Sequence, residues 1–276
     1  MKFLEQELDF KNPRIMGVLN VTPDSFSDGG QYDSVDVAVQ RALEMVRVGA
    51  TMIDVGGEST RPGAKTVSIT EELERVIPVI ESLHKQTGVV ISIDTSKPQV
   101  MKEAVSAGAS LINDVYALRQ NGALEMAASL QVPVCLMHMQ LTPKDMQNAP
   151  SYTNILNEVD EFFGERIVAC ERHGISKGNI ILDPGFGFGK ALSHNLTLLA
   201  NLSFFEHFDC VILAGLSRKS MLGLILDKKV DQRLAASVSA AVIAASNGAS
   251  IVRVHDVEET VDAIRVLSSV KQYVQQ

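Results

Sequence analysis

Long apolar runs, paired cysteines and an excess of basic residues are all missing from this 276-residue sequence. No stretch approaches the ~18 consecutive apolar residues of a membrane-spanning helix. The first residues, MKFLEQELDFKNPR, contain no apolar segment of signal length. No membrane association is expected. The three cysteines, Cys135, Cys170 and Cys210, are far apart and form no CxxC pair, which removes a zinc knuckle and a dithiol centre. Cys135 and Cys210 lie inside apolar runs and read as small buried hydrophobes. An odd set of thiols suits a reducing compartment, so the expected location is the cytoplasm. Lys and Arg number 25 against 33 Asp and Glu, a net charge of −8. That balance argues against a nucleic-acid partner, which needs a basic face. An anionic ligand would have to be held by a local cluster of cations working against the overall field. HExxH, GxSxG, a spaced Cys/His pair and the GxxxxGK[ST] phosphate loop are absent as well.

What the sequence does have is one pattern repeated eight times. Apolar runs rich in β-branched residues occur at 15–20 (IMGVLN), 51–57 (TMIDVGG), 89–94 (VVISID) and 110–114 (SLIND). Four more follow at 132–138 (VPVCLMH), 179–183 (NIILD), 210–217 (CVILAGLS) and 251–256 (IVRVHD). Most are too apolar for strict alternation, which is how strands buried on both faces of a parallel sheet look. Between them run helical patterns. Ser34 opens the first, with Val35, Val39, Ala42, Leu43 and Val46 at helical spacing and Gly49 closing it. Ser68 opens the second and Pro98 stands in the first turn of the third. Further helices are expected at 123–130, 155–173, around 196–202, over the small-residue stretch 233–248, and from Val257 to Val274. Strand and helix alternate eight times without linker or low-complexity insertion. The expected fold is α/β, a (β/α)8 TIM barrel forming one domain over 1–276.

The polar residues that end the runs carry the functional argument. Asn20, Asp54, Asp94, Asn113, His138, Asp183, Ser217 and His255 all stand at or near a downstream strand end. In a parallel barrel these ends converge on one mouth, where catalytic residues gather. Two long polar loops, 20–34 and 56–68, exceed the ~2–6 residues that a βα connection needs and read as parts of a site. Arg61 in the second is a planar cation suited to phosphate or carboxylate. Arg253 lies inside IVRVH, where a charge needs an anion, and SRKS (217–220) follows the seventh strand. If that anion belongs to a ligand, removing Arg253 should leave the empty protein as stable or more so. Asp94 and Asp183 are suited to a ligand presenting adjacent N–H donors, with magnesium binding alongside Asn20 as the competing role. DPGFGFGK (183–190) reads as a tight turn beside a flat ligand, with Phe188 as a stacking face. His138 is read either as a ligand-contacting residue or as a satisfied core histidine.

Together the motifs resemble a known family. NVTPDSFSDGG (20–30), IDVGGESTRPGA (53–64), ISIDTSKP (91–98), INDV (112–115), PVCLMHMQ (133–140), DPGFGFGK (183–190), GLSRKSM (215–221) and RVHDV (253–257) are similar to the dihydropteroate synthases of bacterial folate biosynthesis. The likeness runs from Ile15 to about Val270. It implies a transferase that joins 6-hydroxymethyl-7,8-dihydropterin diphosphate to 4-aminobenzoate, with Mg²⁺ as cofactor and a homodimer as the assembly. Carried over by motif, Asp94, Asn113, Asp183 and Lys219 would bind the pterin, and Asn20, Arg61, Arg253 and His255 the diphosphate. Phe26, Thr60, Pro62, Phe188 and Ser217 would form the aminobenzoate site. Asn20 would help to place the metal, and Asp94, Lys219 and Arg61 would be the catalytic residues. A pterin-binding methyltransferase on the same barrel is the alternative. It would need no diphosphate clamp, so Arg61, Arg253 and His255 argue against it. A catalytically silent pterin-binding homologue would show losses in the loops or cations, and none are visible.

Overall fold

A computed structural model describes residues 1–22, 31–59, 66–140 and 150–274, with backbone alone at 31–34 and 274. Eight parallel strands close into a barrel, each paired with its neighbours in chain order and the last with the first. They are β3 (Arg14–Asn20), β4 (Met52–Gly56), β5 (Val90–Asp94), β6 (Leu111–Asp114), β7 (Val134–Met137), β8 (Ile180–Asp183), β9 (Val211–Ala214) and β10 (Ile251–Val254). Around them run α1 (Gln31–Arg47), α2 (Ile69–Gln86), α3 (Pro98–Ser106), α4 (Ala123–Leu130), α5 (Ile155–Arg172), α6 (Leu192–Ala200), α7 (Ser220–Leu226), α8 (Leu234–Ser246) and α9 (Val257–Val274). The eightfold alternation is thus realised as the expected TIM barrel. Among the described residues no helix is long and apolar enough to cross a membrane.

The strand pleat divides the apolar residues between two cores. Outward-facing Ile53, Val55, Ile91, Ile93, Ile112 and Val134 pack under the helices, where α2 buries Val76, Val79, Ile80 and Leu83. Inward-facing Met16, Met52, Val90, Leu111, Cys135, Ile181, Leu213 and Ile251 fill the lower barrel. A short hairpin of β1 (Lys2–Phe3) and β2 (Gln6–Glu7) adds Phe3 to that lower layer. Two residues further along the same strands, five of the eight inward rows turn polar. Met52 leads to Asp54, Val90 to Ser92, Leu111 to Asn113, Ile181 to Asp183 and Ile251 to Arg253. Because side chains alternate with period two, each of these faces the same interior as the apolar residue below it. The barrel therefore has an apolar floor and a charged layer above it.

Local signals explain several helix starts. Ser68 caps α2 in a reciprocal capping box with Glu71, and Pro98 occupies the first turn of α3. Two starts differ from expectation. Helix α1 begins at Gln31, three residues before Ser34. Helix α6 begins at Leu192, four residues before Leu196, because its polar first turn is held by side chains. Ala191 donates its N–H to His194 Nδ1 at 3.2 Å, and Asn195 Nδ2 donates to the carbonyls of Ala191 at 2.8 Å and Lys190 at 3.2 Å. The N-terminal hairpin was not foreseen, since two-residue strands are too short to show a periodicity. Cys135 and Cys170 are buried as small hydrophobes are, whereas Cys210 is only half-buried at the rim of its strand.

Candidate active site

The charged layer is organised around Arg253. Its Nε donates to Asp54 Oδ2 at 2.6 Å and a terminal nitrogen donates to Asp94 Oδ2 at 2.9 Å. Asp54 Oδ2 also accepts from Asn113 Nδ2 at 3.0 Å. The anion that Arg253 needs is therefore supplied first by the protein itself, through two carboxylates from β4 and β5. This corrects the expectation that a ligand alone would satisfy it. Burial works against the guanidinium charge, but Asp54 and Asp94 outweigh it and hold Arg253 above its ordinary range. Burial, and next the charge of Asp54, push the Asp94 carboxyl up to about 7 despite the pull of Arg253.

On the opposite side, β8 ends at Asp183, whose Oδ1 accepts the Gly185 N–H at 2.8 Å. Burial raises the Asp183 carboxyl, with Lys219 the strongest of the influences opposing it. Lys219 follows β9 and donates to the Phe186 carbonyl, with its Nζ 4.6 Å from the centre of the Phe188 ring. Burial lowers this ammonium to about 8, while Asp183 pulls the other way. Phe188 packs with Val115, Tyr116, Met137 and Met139 into an apolar wall. The site thus offers buried acceptors, a screened guanidinium, a lysine of lowered basicity and one apolar side. These are the requirements for a flat, polar-edged ligand with an aromatic part.

Residues 183–190 form the tight turn that DPGFGFGK suggests. Gly185, Gly187 and Gly189 have φ of +68°, +80° and +60°. A Cβ on Gly185 would lie 2.0 Å from the His138 carbonyl oxygen, an impossible contact with backbone. Lys190, buried inside the turn, donates to the carbonyls of His138, Gly185 and Phe188 at 3.2, 3.0 and 3.0 Å and lies 2.9 Å from His138 Nδ1. Burial first, then Lys190, push the His138 imidazole down to about 2. It packs edge-on against Phe162, with ring centres 4.9 Å apart. Of its two readings, His138 is the satisfied core histidine. Gly185→Ala is expected to destabilise the protein by at least about 2–3 kcal/mol, from left-handed backbone strain plus displacement of the turn. Urea denaturation checks this: the midpoint should fall at unchanged slope.

The other expected site residues distribute as follows. Asn20 ends β3 and its carboxamide makes no hydrogen bond to another described residue. Ser217 and His255 are brought together, since Ser217 Oγ accepts the His255 backbone N–H at 3.2 Å and lies 3.1 Å from its Nδ1. Of the basic pair in SRKS, Lys219 enters the barrel, whereas Arg218 pairs with Asp256 at its rim. Phe26, Thr60, Arg61 and Pro62 lie outside the described residues. The described flanks of the second loop are joined: Glu58 Oε1 accepts the Val67 N–H at 3.2 Å, and Lys97 pairs with Glu58 at 2.5 Å and with Glu72. Sequence reasoning noted Asp54 as a strand-end residue but gave it no role, and it missed Val115, Met137 and Met139. A carboxylate inside the run TMIDVGG was the available signal for the first. For the methionines it was their alternation with Leu136 and His138.

Sequence comparison then decides the family. The pattern described as pterin binding enzyme matches residues 16–255. A dihydropteroate synthase of Escherichia coli strain K12 is 55% identical over 271 residues, covering 98% of this chain and 96% of that protein. The chain belongs to the dihydropteroate synthase family. Among solved structures, the Yersinia pestis dihydropteroate synthase with a sulfonamide drug complex is 51% identical, with a TM-score of 0.95 and 99% of each chain covered. The Xanthomonas albilineans dihydropteroate synthase with 4-aminobenzoic acid is also 51% identical, with a TM-score of 0.90 over 96% of this chain and 95% of that one.

Proposed function

We propose that this chain condenses 6-hydroxymethyl-7,8-dihydropterin diphosphate with 4-aminobenzoate, releasing 7,8-dihydropteroate and diphosphate in cytoplasmic folate biosynthesis. The observation that carries this reading is the meeting of Asp94, Asn113, Asp183, Lys219 and Arg253 at one barrel mouth beside the wall that holds Phe188. The Xanthomonas albilineans relative, with 4-aminobenzoic acid in its structure, supports the second substrate.

In this reading Asp183, already anchored by Gly185, presents acceptors to the N–H edge of the pterin, with Asn113 and Lys219 completing its polar contacts. The C–O bond of the pterin methylene breaks and its electron pair leaves with diphosphate. The methylene left behind is electron-poor and conjugated to the ring, and ionised Asp94 stabilises it. The neutral arylamine of 4-aminobenzoate attacks, a C–N bond forms and a proton is released to solvent. No strong general base is needed, because the arylamine is neutral at pH 7. Arg61, Arg253 and His255 hold the leaving diphosphate; Phe26, Thr60, Pro62, Phe188 and Ser217 hold the aminobenzoate. Arg253, already paired with two carboxylates, contributes further N–H donors more than net charge. Water is the competing nucleophile, so the site must exclude it during transfer.

Mg²⁺ fits the residues present. Asn20 offers a hard oxygen donor without a partner among the described residues, and magnesium typically completes its shell with water and phosphate oxygens. Bound there with diphosphate, it would neutralise the leaving group. A homodimer is part of the same reading. Leu224, Ile225, Leu226, Val230 and Ile243 on and beside α7 and α8, with Val266 and Val270 on α9, are exposed apolar residues suited to a second copy.

The test is diphosphate release measured with and without 4-aminobenzoate. Release is expected only when both substrates and Mg²⁺ are present. Calorimetric titration of 4-aminobenzoate should show binding strengthened by diphosphate, a coupling of about 1–3 kcal/mol. Equal release without the arylamine would replace the synthase reading with simple diphosphate hydrolysis.

A further inference from the structure

We propose that Asp54 is a positioning residue of this site, setting the amide orientation of Asn113 and the plane of Arg253, and through Arg253 the carboxylate of Asp94. The proposal rests on the reading above, in which those three residues meet the substrates. Asp54 is the deepest member of the network, fully buried at 0% exposure, while the side chains of Arg253 and Asp94 keep 22% and 13%. Its register partner on β5 is Ser92, one pleat below the pairing of Gly56 with Asp94. It therefore acts through its neighbours.

Two physical arguments assign the role. First, an asparagine amide has nearly the same shape when turned over, so its orientation must be imposed by a partner. A carboxylate only accepts, so Asp54 Oδ2 holds the Asn113 NH₂ toward itself, and the Asn113 carbonyl oxygen is left for other partners. Second, the same oxygen accepts Arg253 Nε while Asp94 accepts a terminal nitrogen. A planar guanidinium held at two points by two carboxylates has its plane determined. Asp54 Oδ1 is buried without a hydrogen-bond partner among the described residues, so both of the contacts that orient Asn113 and Arg253 run through Oδ2.

Asp54 also tunes Asp94 electrostatically. The charged groups acting on Asp94 are Asp54 from β4, Arg253 from β10, Glu72 from α2 and Asp114 from β6. Asp94 in turn acts on Lys219 beyond β9. Removing the Asp54 charge takes away the largest electrostatic influence that raises Asp94 and leaves Arg253 to pair with Asp94 alone. Both changes favour ionised Asp94 at lower pH.

The experiment compares the parent with Asp54→Asn and, as a smaller second variant, Asp54→Ser. Both are characterised by thermal melting, by steady-state kinetics in pterin diphosphate and 4-aminobenzoate, and by the pH dependence of kcat/KM. Cooperative melting is expected in both. KM for the pterin substrate should rise roughly tenfold, the equivalent of one lost charge-assisted hydrogen bond. KM for 4-aminobenzoate should change little, and the acidic limb of the profile should move to lower pH. Parent-like constants with an unshifted limb overturn the proposal. So does failure of both variants to melt cooperatively, which would assign Asp54 to the fold alone. If the parent releases no diphosphate, the proposed activity fails; if only the variant result is negative, the role of Asp54 fails by itself.

Discussion

Asp183→Asn is expected to weaken pterin binding about a hundredfold while leaving the barrel folded. The two side chains have nearly the same shape, so the effect must come from hydrogen-bond chemistry. In the parent one carboxylate oxygen accepts the Gly185 N–H at 2.8 Å, and in the proposed reading the acceptor capacity that remains serves the pterin. An asparagine must keep its single oxygen on Gly185 to hold the turn, which aims its NH₂ at ligand donors. One attractive contact becomes repulsive and the charge is lost. Each charge-assisted bond contributes ~1.5–3 kcal/mol, so a loss of about 3 kcal/mol, or two decades of affinity, follows. Calorimetry with a free pterin lacking diphosphate, at low and high Mg²⁺, is the measurement. Unchanged affinity, or rescue by added Mg²⁺, would assign Asp183 to the metal instead.

Arg253→Met is expected to destabilise the empty protein by about 3–5 kcal/mol at pH 8, as breaking a buried ion pair usually does. This reverses what the sequence suggests. A lone cation in an apolar strand looks like a charge whose removal relieves the apoprotein, but here removal leaves Asp54 and Asp94 facing each other. The sign of the pH dependence follows from Asp94. Its carboxyl already stands at about 7, above the ordinary carboxylate value, so the folded state binds its proton more tightly than the unfolded chain. Such a group lowers stability as pH rises from the unfolded toward the folded value. Arg253 opposes that rise, so without it Asp94 goes higher and the loss extends further into the alkaline range. The gap between variant and parent should therefore be large at pH 8 and narrower at pH 5.5. Urea midpoints at the two pH values test this. A gap independent of pH would show that the lost packing of the side chain, not the carboxylate pair, is responsible.

How much was legible depended on the kind of interaction. Asp94, Asn113 and Asp183 were found because a parallel barrel sends every strand end to one mouth, so position along the strand was enough. Lys219 was separated from its neighbour Arg218 in SRKS only by the family resemblance, since no local pattern distinguishes the two. The αL backbone at Arg218, φ 59°, goes with that side chain pairing with Asp256 while the next one enters the barrel. His138 stayed ambiguous until Lys190, 52 residues away, was seen 2.9 Å from its ring nitrogen. Asp54 and Arg253 are 199 positions apart, and no local pattern announces that they meet.

The eight strand–helix units, the closed barrel and the family could be read along the chain, because periodicity, caps and turn glycines act over a few residues and motif blocks keep their order. Which charges neutralise one another emerged only when the barrel closed. Strand register joins Asp54, Asp94, Asn113 and Arg253 across the barrel, and a buried charge responds to neighbours within a few ångströms whatever their separation along the chain. The same closure decided that Lys219 faces Asp183 and the Phe188 ring, and that His138 belongs to the core.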